Sequence, residues 1–298
     1  MVYHYTTIET LYSILSSYKT SNDKGYFNFW ASNILDQNDK EELSFGCKEL
    51  HEAIIKLERE KENNGETIST ERLSNMFSWS FLIGKTQDEV VDEIDNSIKE
   101  MYPPFTISFS RQEDTLLMWS IYANKGNGIC LAFEENELSN LKTDLLYISD
   151  DIIYDKEIVK YVEILKLHYD EYLKIFENDR SFILNRIIYE GRLAYKVMLE
   201  SISPFIKNKA FEDEKEWRIA LFKNHNTNTC SRITSNLNII NYVNVGIPVD
   251  ALKKIVIGPC ANSDKVMNLI IEESKECGIE KMTKPEFYRL SSIPYRIV

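Results

Sequence analysis

The sequence predicts an α+β protein. Its 298 residues include 43% hydrophobic and 12% aromatic side chains, enough to build a full core and to exclude wholesale disorder. Short β-branched and aromatic segments are interrupted by long stretches of helical spacing. They do not follow the regular strand–helix alternation of a doubly wound parallel sheet. We therefore expect one domain of residues 1–298 in which a helical block interrupts a sheet.

The chain opens with a strand and a helix. Residues 2–6 are short, β-branched and aromatic, which is typical of a strand. Thr7 is a candidate N-cap, and apolar residues from Ile8 to Leu15 then recur at helical spacing. Alternating aromatic residues at 26–31 predict a second strand.

Two long segments have the pattern of helices. Residues from about 39 to 103 keep three-to-four apolar spacing and end at a pair of prolines, so they predict a helical insertion. Residues from about 156 to 201 predict a second helical segment, which Pro204 closes.

The remaining strands are predicted from alternating or continuous apolar runs. They cover residues 105–110, 128–134, 145–154, 216–222, 242–247 and 254–258. Helices are predicted at 115–123 and 263–277, with Asp114 as a candidate cap of the first.

The charge balance and the cysteines limit the function classes. A net charge of −12 and a pI near 5.0 repel duplex DNA and anionic lipid at long range. The sequence shows no signal peptide and no apolar run of membrane-spanning length, so we expect a cytoplasmic protein. Five widely spaced cysteines, an odd number without a C-x-x-C pair, favour reduced thiols.

The familiar catalytic motifs are missing from the sequence. It contains no P-loop, no G-x-G-x-x-G, no H-E-x-x-H and no G-x-S-x-G. The four histidines are scattered without zinc-ligand spacing, so we expect no metal site. Aromatic residues are not concentrated with lysine and arginine, so no nucleic-acid platform is predicted.

The densest charge cluster lies at residues 212–218. Glu214 and Glu216 are two residues apart, so on a strand they would share one face. Paired carboxylates can divide acid and base roles, because each changes the pKa of the other. The alternative is a solvated strand entrance in which Arg218 pairs with a neighbouring acid.

Other polar and aromatic residues are weaker candidates. His4 opposes its two flanking tyrosines and is either a donor to a ligand hydroxyl or an ordinary core histidine. Ser110 and Arg111 close a predicted strand, with Ser108 two residues earlier. On the predicted helix that follows, an aromatic pair is either a stacking platform or core packing. That pair is Trp119 and Tyr122.

Several segments, taken together and in order, resemble the bacterial family called domain of unknown function 2971. They are Tyr3-His4-Tyr5-Thr6, Phe29-Trp30-Ala31-Ser32, Ile107-Ser108-Phe109-Ser110, Leu117-Met118-Trp119-Ser120-x-Tyr122-Ala123, Gly128-Ile129-Cys130-Leu131, Glu214-x-Glu216-Trp217-Arg218 and Ile293-Pro294-Tyr295-Arg296. The resemblance extends from residue 2 to residue 296. The segments at 117–123 and 214–218 are the most specific.

The layout of that family is similar to the ADP-ribosyltransferase superfamily. The resemblance implies a split, mixed or antiparallel sheet and NAD as the substrate. It implies that Glu216 holds the nicotinamide ribose and stabilises an oxocarbenium-like transition state, with Glu214 as a helper acid. It implies that His4 contacts the adenosine-side ribose, and that Tyr122, or else Tyr102, stacks on nicotinamide.

The same resemblance implies further NAD contacts. Those from hydroxyl and indole groups would be made by Thr6, Ser108, Ser110 and Trp119. Arg111 or Arg218 would face the pyrophosphate. The chain departs from the superfamily in its helical block at 39–103 and in lacking a Ser-Thr-Ser segment.

We therefore expect an NAD-dependent ADP-ribosyltransferase or NAD glycohydrolase that cleaves the nicotinamide–ribose bond. It would be a bacterial toxin or an anti-phage effector, and its acceptor would be a protein, a nucleic acid or water. One alternative is a non-catalytic interaction module on the same fold. Another is a metal-dependent nuclease that uses the acidic residues at 212–216.

Overall fold

The computed structural model describes residues 1–37, 42–63, 103–154, 201–223, 227–234 and 237–295. The chain forms two compact units. The first, called the sheet unit below, comprises Met1–Ser32, Phe105–Asp151 and Phe211–Val298. The second comprises Asn33–Pro104 and Ile152–Ala210.

Twelve strands and four α-helices lie in the described residues, beside short 3₁₀ turns. In chain order they are β1 (Val2–Thr6), α1 (Ile8–Thr20), β2 (Tyr26–Asn33), α2 (Glu42–Asn63), β3 (Phe105–Ser110), α3 (Leu116–Tyr122), β4 (Ile129–Phe133), β5 (Leu146–Asp151), β6 (Ile153–Tyr154), β7 (Ile206–Lys207), β8 (Glu216–Phe222), β9 (Cys230–Ile233), β10 (Ile239–Pro248), β11 (Leu252–Ile257), α4 (Ser263–Cys277) and β12 (Tyr288–Leu290). No helix in this described part of the chain is long and apolar enough to cross a membrane.

Local sequence signals fix the ends of the two long helices of the sheet unit. The Thr7 side chain accepts a hydrogen bond from the Thr10 N–H at 3.2 Å, which confirms Thr7 as the cap of α1. Asn262 caps α4 in the same way. Gly278 ends α4 with a φ of 72°, a left-handed conformation that glycine adopts without strain.

Asp114 does not cap helix α3, so that prediction is wrong. The cap position is Thr115, whose side chain makes no capping hydrogen bond. The Asp114 carboxylate instead accepts hydrogen bonds from Trp119 Nε1 at 2.6 Å and from Ser291 Oγ and the Ser292 N–H, each at 2.7 Å. Both carboxylate oxygens of Asp114 are therefore bound to Trp119 and to the C-terminal segment, and not to the N–H groups at the start of α3.

The main sheet is mixed and mostly antiparallel, which confirms the α+β class. Its order is β12-β11-β4-β1-β3-β2-β10-β9, and β8 joins β3 to β5. Strands β1, β4, β8 and β10 run antiparallel to their neighbours, whereas β11 and β12 are parallel. Two short edge strands, β9 and β12, were not predicted, because their mostly exposed residues show no apolar alternation.

Strand β3 has three neighbours. β8 pairs with its whole length, from Phe105 opposite Leu221 to Ser110 opposite Glu216. A strand has two edges, so β1 and β2 share the other one, and β1 lies against Ser110. The sheet therefore divides at β3 into one branch that contains β1 and β4 and another that contains β2 and β10.

The two faces of the sheet carry separate apolar clusters. One face packs against α1 and α4 around the main core. The opposite face, called the α3 face below, packs against α3 around a smaller cluster that includes Tyr5 and Trp119. Trp217 points into the main core. Strand alternation therefore places Glu216 and Arg218 on the α3 face.

The second unit contains α2 and the parallel pair β6–β7. Gly46 of α2 lies so close to the Ser203 backbone that a side chain there would collide with it. Helix α2 falls inside the predicted helical insertion. Residues 39–41 and 64–102 of that insertion, and 156–200 of the second predicted helical segment, lie outside the described residues. The assignment of the whole chain to one domain stays a prediction.

Gly128 should be intolerant of any side chain. A Cβ at this position would overlap the carbonyl oxygen of Thr6 and lie 2.9 Å from that of Ala123. We expect Gly128→Ala to lower the free energy of unfolding by about 1–3 kcal/mol or more, because backbone must move to accommodate the methyl group. Gly25→Ala is the matched control, since its Cβ would meet its nearest neighbour, the Asp23 carboxylate, at 3.4 Å. Urea unfolding of both variants measures the difference, and equal losses would contradict the steric explanation.

Candidate functional site

The backbone turns sharply between the two candidate glutamates. A 3₁₀ helix ends at Glu214, Lys215 has a φ of 42°, and β8 begins at Glu216. The Lys215 carbonyl accepts a hydrogen bond from the Arg111 N–H at 2.7 Å, which helps to hold this conformation. Glu214 and Glu216 therefore do not share one face of a single strand, and that prediction is wrong. A left-handed lysine costs roughly 1–2 kcal/mol, and such strain is concentrated at functional sites.

Glu216 forms a buried ion pair with Arg218. Both side chains extend from β8 on the α3 face, because they are two residues apart. Arg218 donates to Glu216 Oε1 from Nε at 2.8 Å and from Nη2 at 2.7 Å. The two side chains are only 4% and 1% exposed. The predicted pairing of Arg218 with a neighbouring acid is present, but the pair is buried and not a solvated strand entrance.

Glu214 is held by two hydroxyl groups. Tyr122 donates its hydroxyl proton to Glu214 Oε1 at 2.7 Å. Ser110 Oγ donates to the Glu214 backbone carbonyl, also at 2.7 Å, and accepts from the Gln112 N–H. Ser110 lies opposite Glu216 in the sheet. The end of α3, the end of β3 and the start of β8 therefore meet around the two glutamates.

We call this group the glutamate cluster: Ser110, Tyr122, Glu214, Glu216 and Arg218. Both carboxylates are buried, and each is oriented by a fixed donor. Carboxylates fixed in a region of low dielectric can hold a substrate hydroxyl and stabilise positive charge that develops next to them. The cluster can therefore support cleavage of a bond at a sugar carbon.

His4 lies on the opposite side of the sheet from the glutamate cluster. Its ring contacts Phe29 at 5.7 Å and Phe109 at 5.6 Å between ring centres, and both phenylalanines belong to the main core. His4 Nδ1 is 3.0 Å from the Ser108 carbonyl oxygen. Thr6, two residues along β1, is buried on that same side. The structure does not bring His4 or Thr6 to the two glutamates.

Arg111 is occupied by two carboxylates. Its Nε donates to Asp151 at 2.6 Å, and Nη2 donates to Glu135 at 3.1 Å. The hydrogen bond from Arg111 lowers the pKa of Glu135, and burial opposes this effect. The Arg111 guanidinium also lies 5.8 Å from the centre of the Trp217 ring. A pyrophosphate at Arg111 would have to displace both carboxylates.

Trp119 is a core residue, which is the second of the two roles that the sequence left open for it. It is fully buried, its ring contacts Tyr5 edge-on, and its Nε1 is bound to Asp114. The C-terminal residues Ser291 and Ser292 bind the same carboxylate. Trp119 is therefore part of the packing under α3 and presents no face for stacking, while Asp114 joins it to the C-terminal segment.

The other predicted positions are less informative. Ser108 lies opposite Arg218 on the α3 face, beside the cluster. Tyr102 lies outside the described residues. Within the described ranges no three metal-ligating side chains come together, so the acidic run at 212–216 receives no support as a metal site there. The five cysteines, all within these ranges, form no disulfide.

Removing the cation of the buried ion pair should cost more stability than removing the cation of the exposed pairs. Arg218→Met would leave the Glu216 carboxylate buried without its cation, which costs about 3–5 kcal/mol. Arg111→Met removes pairs that are about one-third exposed, and we expect a loss of about 1 kcal/mol or less. Urea unfolding gives both values. Adding Glu216→Gln to Arg218→Met should recover part of the loss, and failure to do so would argue against coupling of the two charges.

His4 should make the protein sensitive to mild acid. Burial lowers the pKa of His4, although its hydrogen bond with the Ser108 carbonyl raises it. The unfolded chain therefore binds a proton first, near its ordinary pKa of about 6.5, and stability falls as the pH drops below that value. We expect His4→Gln to remove a slope of up to about 1.4 kcal/mol per pH unit. Unfolding free energies of both proteins between about pH 7 and pH 5 test this, and identical slopes would contradict it.

Comparison with known proteins bears on one segment. No curated protein and no solved structure matches the chain. Residues 118–219 match the model of the family described as "Protein of unknown function (DUF2971)". This segment contains Tyr122, Glu214, Glu216 and Arg218, four of the five residues of the glutamate cluster. Over this segment the resemblance predicted from the motifs is confirmed, and outside it the resemblance stays a prediction.

Proposed function

We propose that the sheet unit is an NAD-cleaving enzyme, an ADP-ribosyltransferase or an NAD glycohydrolase, with the glutamate cluster as its reaction centre. One observation carries the proposal. Two buried carboxylates, Glu214 and Glu216, lie on either side of one strained residue, and each is fixed by a donor. The biological setting in this proposal is that of a bacterial toxin or an anti-phage effector.

The proposed reaction breaks the bond between the nicotinamide nitrogen and the ribose carbon. The electron pair leaves with nicotinamide, and positive charge develops on the ribose. Glu216 stabilises this charge and accepts a hydrogen bond from a ribose hydroxyl. An acceptor oxygen or nitrogen then bonds to the ribose carbon, and its proton passes to Glu214.

Two neighbours position the carboxylates in this scheme. Arg218 fixes Glu216 through two donors to Oε1. Tyr122 fixes Glu214 through its hydroxyl. Its half-buried ring lies beside that carboxylate, and we assign it to nicotinamide.

The division of the sheet at β3 supports the proposal, because a split sheet is what the superfamily resemblance implies. Three predicted NAD contacts are left out of it. His4 and Thr6 lie on the main-core side, and Trp119 is fully buried. In this proposal the adenosine end of NAD therefore binds to groups of the α3 face other than His4.

Nicotinamide release from NAD tests the proposed chemistry. We expect the parent protein to release nicotinamide and Glu216→Gln to lose about 10²–10³-fold in rate, because charge stabilisation at the ribose is lost. Tyr122→Phe, which removes one hydroxyl and no charge, should lower the rate less. Glu9→Gln, a glutamate exposed on α1, is the control and should retain the parent rate.

The same assay can contradict the proposal. Full activity in a folded Glu216→Gln protein would exclude Glu216 as the stabilising carboxylate. A larger loss in Glu214→Gln than in Glu216→Gln would exchange the two roles. No release by the parent, with no heat of NAD binding in calorimetry, would exclude NAD chemistry.

A non-catalytic interaction module is the second candidate. The observation that favours it is the outer side of α3, where Leu116, Leu117 and Ile121 are exposed. Three apolar side chains on two turns of helix are more typical of a contact surface than of a solvated helix. Absence of NAD binding together with a stable complex in pull-downs would favour this candidate.

A further inference from the structure

Three strands of the sheet unit build an exposed aromatic surface. Trp30 of β2 is 44% exposed. Its ring lies 4.8 Å from that of Tyr242 of β10, at an interplanar angle of 33°. The Arg232 guanidinium of β9 lies 5.5 Å from the centre of the Trp30 ring. We call this surface the Trp30 face.

The Trp30 face continues along β2. Alternation places Asn28 and Tyr26 on the same side as Trp30, because Phe27 and Phe29 point into the main core. The Asn28 amide donates to the Asn244 side chain at 3.1 Å. Beyond it, Lys142 Nζ lies 5.8 Å from the centre of the Tyr26 ring and pairs with Asp23.

The charge on these strands differs from that of the chain. The protein has 47 acidic residues and a net charge of −12. None of the residues of β2, β9 and β10 is acidic, and Arg232 supplies a positive charge. The Asp23 carboxylate, which pairs with Lys142, lies at the Tyr26 end of this surface. The combination of rings, amides and a cation suits a ligand that carries both planar rings and negative charge.

We propose that the Trp30 face binds single-stranded nucleic acid, with bases stacked on its rings. Tyr26 and Trp30 are four residues apart on one strand, a span of roughly 13 Å, which leaves room for two or more bases between and upon the rings. Arg232 lies beside the Trp30 ring, where it can contact a phosphate, whereas Lys142 beside the Tyr26 ring is paired with Asp23. The side-chain amides of Asn28 and Asn244 lie between and can hydrogen-bond to base edges.

Stacking, more than charge, has to supply this affinity. The net charge of −12 repels any polyanion. Two cations near the rings are too few to neutralise the phosphates of a duplex. Single strands expose the faces of their bases, whereas duplexes do not. The site should therefore select single strands. It stands apart from the proposed NAD chemistry and can be present without it.

Fluorescence anisotropy with labelled oligo(dT) and oligo(U) of about ten nucleotides tests the proposal. We expect both oligonucleotides to bind the full-length protein. Trp30→Ala should weaken binding at least about fivefold, since it removes a stacking ring. Tyr12→Ala is the matched control: Tyr12 is 46% exposed on α1, away from this face, and its removal should change nothing.

Two further probes separate bases from charge. An abasic strand of the same length should bind the parent protein weakly. Its affinity should be no higher than that of the intact strand for the Trp30→Ala protein. A duplex of the same length should not compete. Tyr242→Leu should also weaken binding, and it keeps the proposal testable if Trp30→Ala fails to fold.

Several results would overturn the proposal. They are no oligonucleotide binding by the parent protein, unchanged affinity in folded Trp30→Ala and Tyr242→Leu proteins, or equal binding of the abasic strand. Binding of a neutral oligosaccharide such as maltoheptaose to the parent, with no oligonucleotide binding, would reassign the face to carbohydrate.

Discussion

The arrangement of this protein depends on strand β3, which has two edges and three neighbours. β8 occupies one edge completely, so β1 and β2 must share the other. This constraint divides the sheet and leaves the end of β3, at Ser110, at the junction of β1 and β8. The glutamate cluster lies at this junction, on the side of β8, and the Trp30 face lies on the branch that contains β2 and β10.

The glutamate cluster combines backbone strain with buried charge. The left-handed Lys215 turns the chain so that Glu214 faces Tyr122 while Glu216 enters β8 beside Arg218. Buried ion pairs contribute little net stability compared with apolar packing, because desolvation of the charges offsets their attraction. A strained lysine and two buried glutamates in one place are more readily explained by a function of those carboxylates than by stability.

The two functional proposals depend on different interactions within the sheet unit. In the glutamate cluster, fixed carboxylates act on charge that develops at a bond. On the Trp30 face, exposed rings act through stacking, in a chain whose overall charge would otherwise repel a polyanion. If both proposals hold, single-stranded nucleic acid is a candidate among the three acceptor classes that the sequence leaves open, which are protein, nucleic acid and water.

The sequence by itself determined the elements and the candidate residues. Hydrophobic periodicity located α1, α4 and the buried strands, because side chains must match the period of the backbone, and the motif at 214–218 marked the acidic site. Tertiary structure decided the rest. Nothing local signals that Lys215 is left-handed, that Asp114 binds Ser291, or that His4 faces the main core. Trp30 lies far along the chain from Arg232 and Tyr242, and only the pairing of β2 with β10 brings it to them.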